Sequence, residues 1–154
     1  MNQVVVKQEK SGYQIVEAYK SLRTNLQFCG EDKKVIAITS CTPNEGKSSV
    51  SMQLGISLAE IGKRVILIDA DLRKSVLLGR TKTEKSVRGL AHFLSGQASL
   101  EDVICATNIK NFYMIYSGPF PPNPAELLGG KNFRSLLNAL RKVYDYVIVD
   151  TPPL

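Results

Sequence analysis

The chain has 154 residues, 44% of them hydrophobic and 22% charged, with a formal net charge of +6. This is the make-up of one soluble globular domain able to bury a sizeable core; no apolar run approaches the roughly 20 residues of a membrane span, and Met1 to Lys10 lacks the apolar centre of a signal peptide. A positive balance can serve nucleic-acid or anionic-membrane contact, but the basic residues are scattered along the chain, several fall where a triphosphate would be held, and no nucleic-acid partner is expected. Three cysteines (Cys29, Cys41, Cys105), an odd number without metal-ligand spacing, fit a reducing cytoplasm best.

In chain order, Tyr13 to Phe28 reads as a helix with Ile15, Tyr19, Leu22 and Leu26 on one stripe. Val35 to Thr39 is a continuous apolar run, the pattern of a strand buried on both faces. A helix marked by Val50, Leu54, Leu58 and Ile61 follows and stops at Gly62. Between them lies Cys41-Thr42-Pro43-Asn44-Glu45-Gly46-Lys47-Ser48-Ser49, a tight loop placed between strand and helix. Gly-Lys-Ser at a helix entrance suits a phosphate-binding loop: backbone N–H groups cradle phosphates, the lysine reaches the outer ones, and the hydroxyl meets Mg²⁺. The helix N-terminus adds unsatisfied donors and the positive end of its dipole. The general pattern has glycine where Cys41 stands, so it fails at one position.

Val65 to Ile68 is a second buried strand ending at Asp69, and Ser99 with Asp102 resembles a capping box. Phe112 to Tyr116 is a third strand, Pro119 to Pro124 a proline-rich loop, and Phe133, Leu136, Leu137 and Leu140 mark a last helix. Tyr146 to Val149 is a fourth strand ending at Asp150, and no internal repeat is present. Strands separated by helices imply an α/β fold, a parallel sheet flanked by helices. Ligands of such sheets bind at the carboxyl ends of the strands. Three distant segments should therefore converge: the loop after Thr39, Asp69 to Arg73, and Asp150 to Pro153. Carboxylates beside a phosphate loop can hold Mg²⁺, which takes hard oxygen ligands, or accept a proton from an attacking hydroxyl.

The same residues resemble the bacterial tyrosine kinases, cytoplasmic enzymes that phosphorylate their own tyrosines and regulate capsule and exopolysaccharide export. Cys41 to Ser49 resembles the Walker A loop of that family, VILIDADLR (Val65 to Arg73) its Walker A′ motif, and VIVDTPP (Val147 to Pro153) its Walker B. Glu17 to Asn25 resembles the N-terminal helix through which members form rings, and GPFPPNPAELL (Gly118 to Leu128) is also family-like. The resemblance runs from about Gly12 to Leu154. It implies a P-loop NTPase fold of the deviant-Walker, MinD/ParA-like kind, with residues 1–30 an N-terminal segment carrying the oligomerisation helix and 31–154 the N-terminal part of the kinase domain.

The resemblance also implies roles. ATP would bind through Thr42, Pro43, Asn44, Glu45, Gly46, Lys47, Ser48 and Ser49, with Lys47 on the β- and γ-phosphates. Mg²⁺ would be served by Ser48, Asp71 and Asp69, and by Asp150 through its water shell. Asp69 would be the base toward the tyrosine hydroxyl, and Arg73 would orient the site or its neighbours. Glu17, Lys20 and Arg23 would line the ring interface. The implied partners are a membrane-anchored activator of the polysaccharide co-polymerase type, further copies of the chain, and tyrosine-containing protein substrates. The implied place is cytoplasmic, peripheral at the inner face of the cell membrane through the activator.

There are departures from the family pattern. Asn44 stands where Gly or Ser is usual, a small change because Asn tolerates left-handed backbone. Lys20 replaces an arginine, keeping the charge but losing the bidentate fork. The chain stops just after Walker B, where members continue with base-contacting residues and a tyrosine-rich tail, so it reads as incomplete at the C-terminus and little activity of its own is expected. The alternative reading is a MinD/ParA-like ATPase switch without kinase activity. Plain structural readings stand beside these: the Glu17, Lys20, Arg23 series has the spacing of a solvated helix face, Tyr146 reads as core, and His92 is isolated.

Overall fold

The structure, a computed structural model, describes residues 1–7, 12–39, 47–72, 81–82 and 87–152. Its elements are β1 (Asn2–Val6), α1 (Tyr13–Phe28), β2 (Val35–Ile38), α2 (Lys47–Glu60), β3 (Val65–Asp69), β4 (Thr81–Lys82), α3 (Leu90–Leu94), α4 (Leu100–Val103), β5 (Cys105–Thr107), β6 (Phe112–Ile115), α5 (Pro124–Gly129), α6 (Lys131–Leu140) and β7 (Tyr146–Asp150). The strands form one sheet in the order β2-β7-β3-β6-β5-β1-β4.

Its centre is parallel, as expected: β7 lies between β2 and β3, and β3 pairs with β6. Beyond β6 the sheet becomes mixed, with β5 antiparallel to β6, β1 parallel to β5, and β4 antiparallel to β1. The three outer strands carry weak sequence signals. In β1 only Val4 and Val6 point inward at 2% exposure while Val5 is half exposed, too short an alternation to stand out.

Side-chain parity divides the core in two. Val65, Leu67, Phe112, Met114, Tyr146 and Ile148 face Met52, Leu54 and Leu58 of α2. Ile66, Ile68, Ile115, Val147 and Val149 face Leu90, Leu94, Leu136 and Leu140 of α3 and α6. With helices on both sides, β3 and β7 are buried along their whole length, which is why they read as unbroken apolar runs. β2 departs from that expectation. Among the described strands it lies at the edge: Ile36 and Ile38 are half-buried toward α2, while Val35, Ala37 and Thr39 are exposed on the other face.

α1 spans the expected residues on a rotated face. Val16, Tyr19 and Lys20 line a cavity of about 70 Å³ against Gln53, Ile56, Ser57 and Glu60 of α2, and Leu26 packs on the core. Ile15 and Leu22, expected on the packed stripe, are 53% and 37% exposed. The rotation follows Arg23, whose guanidinium donates to the Ser57 carbonyl at 3.0 Å and the Ser57 hydroxyl at 3.2 Å. α2 ends at Glu60, and Gly62 then adopts φ +88°, the left-handed geometry that makes glycine a helix stop. The capping box forms: Ser99 Oγ accepts from the Asp102 amide and Asp102 Oδ2 from the Ser99 amide. Those bonds hold the Asp102 carboxyl below its usual pKa. His92 has a local task, its Nδ1 accepting from the Gly89 amide at 3.0 Å.

The turn into α3 crosses the end of β6 backbone to backbone. Leu90 and Ala91 amides donate to the Tyr116 and Ser117 carbonyls at 2.6 and 2.9 Å. A Cβ at Gly89 would lie 2.3 Å from the Gly118 nitrogen, a contact no rotamer relieves. Gly89→Ala should therefore destabilise the fold by about 1–3 kcal/mol through overpacking, read as a lower thermal midpoint. Gly96→Ala, with nothing within 4 Å of the added Cβ but φ +79°, should cost only about 1 kcal/mol of backbone strain.

Candidate functional site

The carboxyl edge of β3 and β7 gathers acidic side chains. Asp69 and Asp150 are register partners in adjacent parallel strands, each 1% exposed. Both lie on the α2 side by the parity that sends Leu67 and Ile148 there. The strands stay coupled past their ends: the Ala70 amide donates to the Asp150 carbonyl at 2.9 Å, and the Thr151 amide and hydroxyl donate to the Ile38 carbonyl at 3.0 and 2.8 Å. Asp71, 9% exposed, donates its amide to Asp69 Oδ1 at 3.2 Å, fixing that carboxylate over its own turn.

α2 begins at this edge, and its first two side chains both reach Asp150. The Lys47 ammonium pairs with Asp150 Oδ1, and Ser48 Oγ donates to Oδ2 at 2.9 Å. The lysine side chain is 9% exposed and the serine residue 7%, so the pair is nearly dry. One carboxylate thus holds the two groups that a phosphate loop would turn toward its ligand. The donors available here, a serine hydroxyl and carboxylates, are all hard oxygens of the kind Mg²⁺ prefers. Among the described residues no cluster of three or more His, Cys, Asp or Glu has metal-holding geometry by itself.

Lys47, Ser48, Asp69, Asp71 and Asp150 are therefore brought to one edge, with Ser49 next on the first turn of α2. Thr42, Pro43, Asn44, Glu45, Gly46 and Arg73 lie outside the described residues. Tyr116 was not singled out by motif. It follows Ile115, the partner of Ile68, and so continues beside Asp69, 3% exposed in the α2-facing core. Strand parity was the available signal. Tyr144 and Tyr146 are buried, and burial pushes both phenols above their usual pKa, which disqualifies them as accessible phosphoacceptors. Glu17 and Lys20 form an exposed pair at 3.4 Å, whereas Arg23 is turned onto Ser57 and Glu60 of α2.

A match to the family described as AAA domain covers residues 33–154. The chain belongs to that family. Within it the chain is strongly homologous to bacterial tyrosine-protein kinases. It is 44% identical over 138 residues to the tyrosine-protein kinase CpsD of Streptococcus agalactiae, a span of 90% of this chain and 60% of that protein. The kinase domain of the Escherichia coli tyrosine kinase ETK superposes with a TM-score of 0.84 at 39% identity, over 90% of this chain and 55% of that one. The septum site-determining protein MinD of Pyrococcus horikoshii, solved with Mg-ADP, superposes with a TM-score of 0.65 at 27% identity, over 79% of this chain and 49% of that one. The chain thus spans about three-fifths of the length of the curated kinase.

The Lys47–Asp150 pair should carry a strong coupling. Lys47→Met leaves a dry carboxylate without its counter-charge and should cost about 3–5 kcal/mol, while Lys47→Met combined with Asp150→Leu should recover much of that. Urea unfolding of the single and double variants measures it, and additive losses would show that the pair is not coupled. Arg23→Ala should cost about 1–3 kcal/mol by removing two hydrogen bonds from a charged donor.

Proposed function

We propose that this chain is the nucleotide-binding part of an ATP-dependent protein-tyrosine kinase that phosphorylates its own kind in trans and regulates capsule or exopolysaccharide synthesis and export. One observation carries the reading: Lys47 and Ser48, opening α2, converge on Asp150 in register with Asp69. The likeness to CpsD and to the ETK kinase domain supports the tyrosine as acceptor.

In this reading Lys47 exchanges Asp150 for the outer phosphates of ATP, and Thr42 to Gly46 with Ser49 complete the cradle. Ser48 and Asp71 would hold Mg²⁺, with Asp69 beside them and Asp150 acting through water, and the ion would supply positive charge against the phosphates. Asp69, oriented by the Asp71 amide, accepts the proton of the incoming tyrosine hydroxyl. Arg73 orients the site. A ring of copies would place one subunit's tyrosines at the next one's site, with Glu17 and Lys20 exposed on α1 for the contact and Arg23 supporting it from within. The fitting partner is a membrane-anchored activator of the polysaccharide co-polymerase type, holding the kinase at the inner face of the membrane; no helix among the described residues is long and apolar enough to cross one.

A MinD-like ATPase switch is the second reading, favoured by the likeness to the Mg-ADP-bound protein. Asp71 and Arg73 after Asp69 argue for the kinase.

Mg-ATP should bind the chain in calorimetry, and Lys47→Met should abolish it, because backbone donors alone do not balance the phosphate charge. Equal affinity in both would refute the site. In any preparation that phosphorylates tyrosine, Asp69→Asn should lower that phosphorylation at least about 100-fold. ATP hydrolysis without any phosphotyrosine would favour the switch. Lys20→Glu should weaken self-association and leave nucleotide affinity unchanged.

A further inference from the structure

The basic residues that look scattered in the sequence gather in space. The central strands are parallel, so all of their amino ends share the pole opposite the site. Each is preceded by cations: Lys33 and Lys34 before β2, Lys63 and Arg64 before β3, Lys110 before β6, Arg141 and Lys142 before β7. Lateral hydrogen bonds tie these segments together. The Val147 amide donates to the Lys34 carbonyl at 2.7 Å, Asp145 to Arg64 at 2.8 Å, and Val65 to Asn111 at 2.8 Å, while Lys34 Nζ reaches the Arg141 carbonyl at 3.4 Å.

The acids here are Glu31, Asp32, Glu60 and Asp145, and most are engaged locally. Asp32 pairs with Lys33, Glu60 faces Arg23, and Asp145 accepts from the Arg64 amide. Arg64 itself lies over the rings of Tyr113 and Tyr144. Lys63, Lys110, Arg141 and Lys142 form no ion pair with any described residue, and all but Lys63 are exposed.

Helix ends explain part of this. α2 and α6 finish at this pole, and cations there complement their dipoles. That account does not cover the apolar side chains set among the cations. Phe28, at the end of α1, is 85% exposed; Val143 is 54%, Val35 40% and Ile61 38% exposed. Phe28 belongs to this pole because it closes α1, whose chain then turns into the amino end of β2. Exposed apolar groups interleaved with unpaired cations match a bilayer interface, where cations meet anionic headgroups and apolar groups enter the acyl boundary. Duplex nucleic acid, its bases stacked inside, offers no apolar layer for Phe28 and Val143.

We propose that the amino pole of the sheet, through Lys110, Arg141, Lys142 and Phe28, docks directly on an anionic lipid surface, holding the carboxylate site away from the membrane. The contact is independent of any protein anchor.

The test is co-sedimentation of the chain with vesicles of phosphatidylcholine alone or mixed with phosphatidylglycerol, at low and high salt. Binding should require phosphatidylglycerol and fall with salt. Each cation reversed among Lys110→Glu, Arg141→Glu and Lys142→Glu should weaken it by roughly fivefold or more. Phe28→Ala, which alters a solvent-facing side chain, should reduce binding several-fold and leave the salt dependence unchanged. Thermal unfolding of each variant controls for the fold. Equal binding to both vesicle types, or reversals that lower the melting point yet leave vesicle binding intact, would overturn the proposal. So would displacement of the chain from vesicles by polyglutamate or duplex DNA at matched charge, which would assign the pole to an acidic polypeptide or to nucleic acid.

Discussion

Two carboxylates end adjacent parallel strands at the same level and on the same face, and almost no solvent reaches either. A buried charge is tolerated only with a partner and hydrogen bonds close by. For Asp150 both come from the first turn of α2, so the ion pair fixes where that helix begins, how it lies across β7 and β3, and which face of the sheet it covers. The α2-side core follows from that placement. Met52, Leu54 and Leu58 meet Leu67, Met114 and Ile148 because Lys47 and Ser48 sit over Asp150. Chemistry and packing share one constraint, and its charges are held by the contacts that ligand binding would have to exchange.

How much of this was legible in the sequence depended on burial. β3 and β7 are covered on both faces, so their composition is uniformly apolar and their ends are marked by a single acidic residue each. α2 was readable from its glycine-lysine-serine entrance and its glycine stop. β1 and β5 were not, because strands of five and three residues at the flank of a sheet leave too few positions for a period to emerge. Motif marked Lys47, Ser48, Asp69, Asp71 and Asp150, and parity adds one residue to them. Tyr116 belongs to the row of Asp69 by alternation alone, and nothing in its neighbours' identities marks it.

Charge and contact behaved differently. The Glu17, Lys20, Arg23 spacing correctly describes one helix, but spacing does not say which residue turns inward. Arg23 lies far enough around α1 to reach a serine on α2, and its long side chain made it part of the packed face. β2 differs for another reason: its four residues are as apolar as those of a central strand, yet among the described strands only β7 pairs with it. Strand order is a non-local property, set by which pairings the whole chain makes, and a local window does not contain it.

The place of β7 has a consequence for how the molecule is made. It lies between β2 and β3, although it leaves the ribosome after every other strand described. Val35 pairs with Val147 across more than a hundred residues of chain, so β2 cannot join the sheet until synthesis has reached that far. Until then the nascent chain carries a vacant slot between two apolar strands, and any chaperone that protects it must cover the edges of both β2 and β3. Of the described strands, β7 is the one that joins β2 to the rest of the sheet. A translational pause before β7 has emerged would lengthen the exposure of that slot.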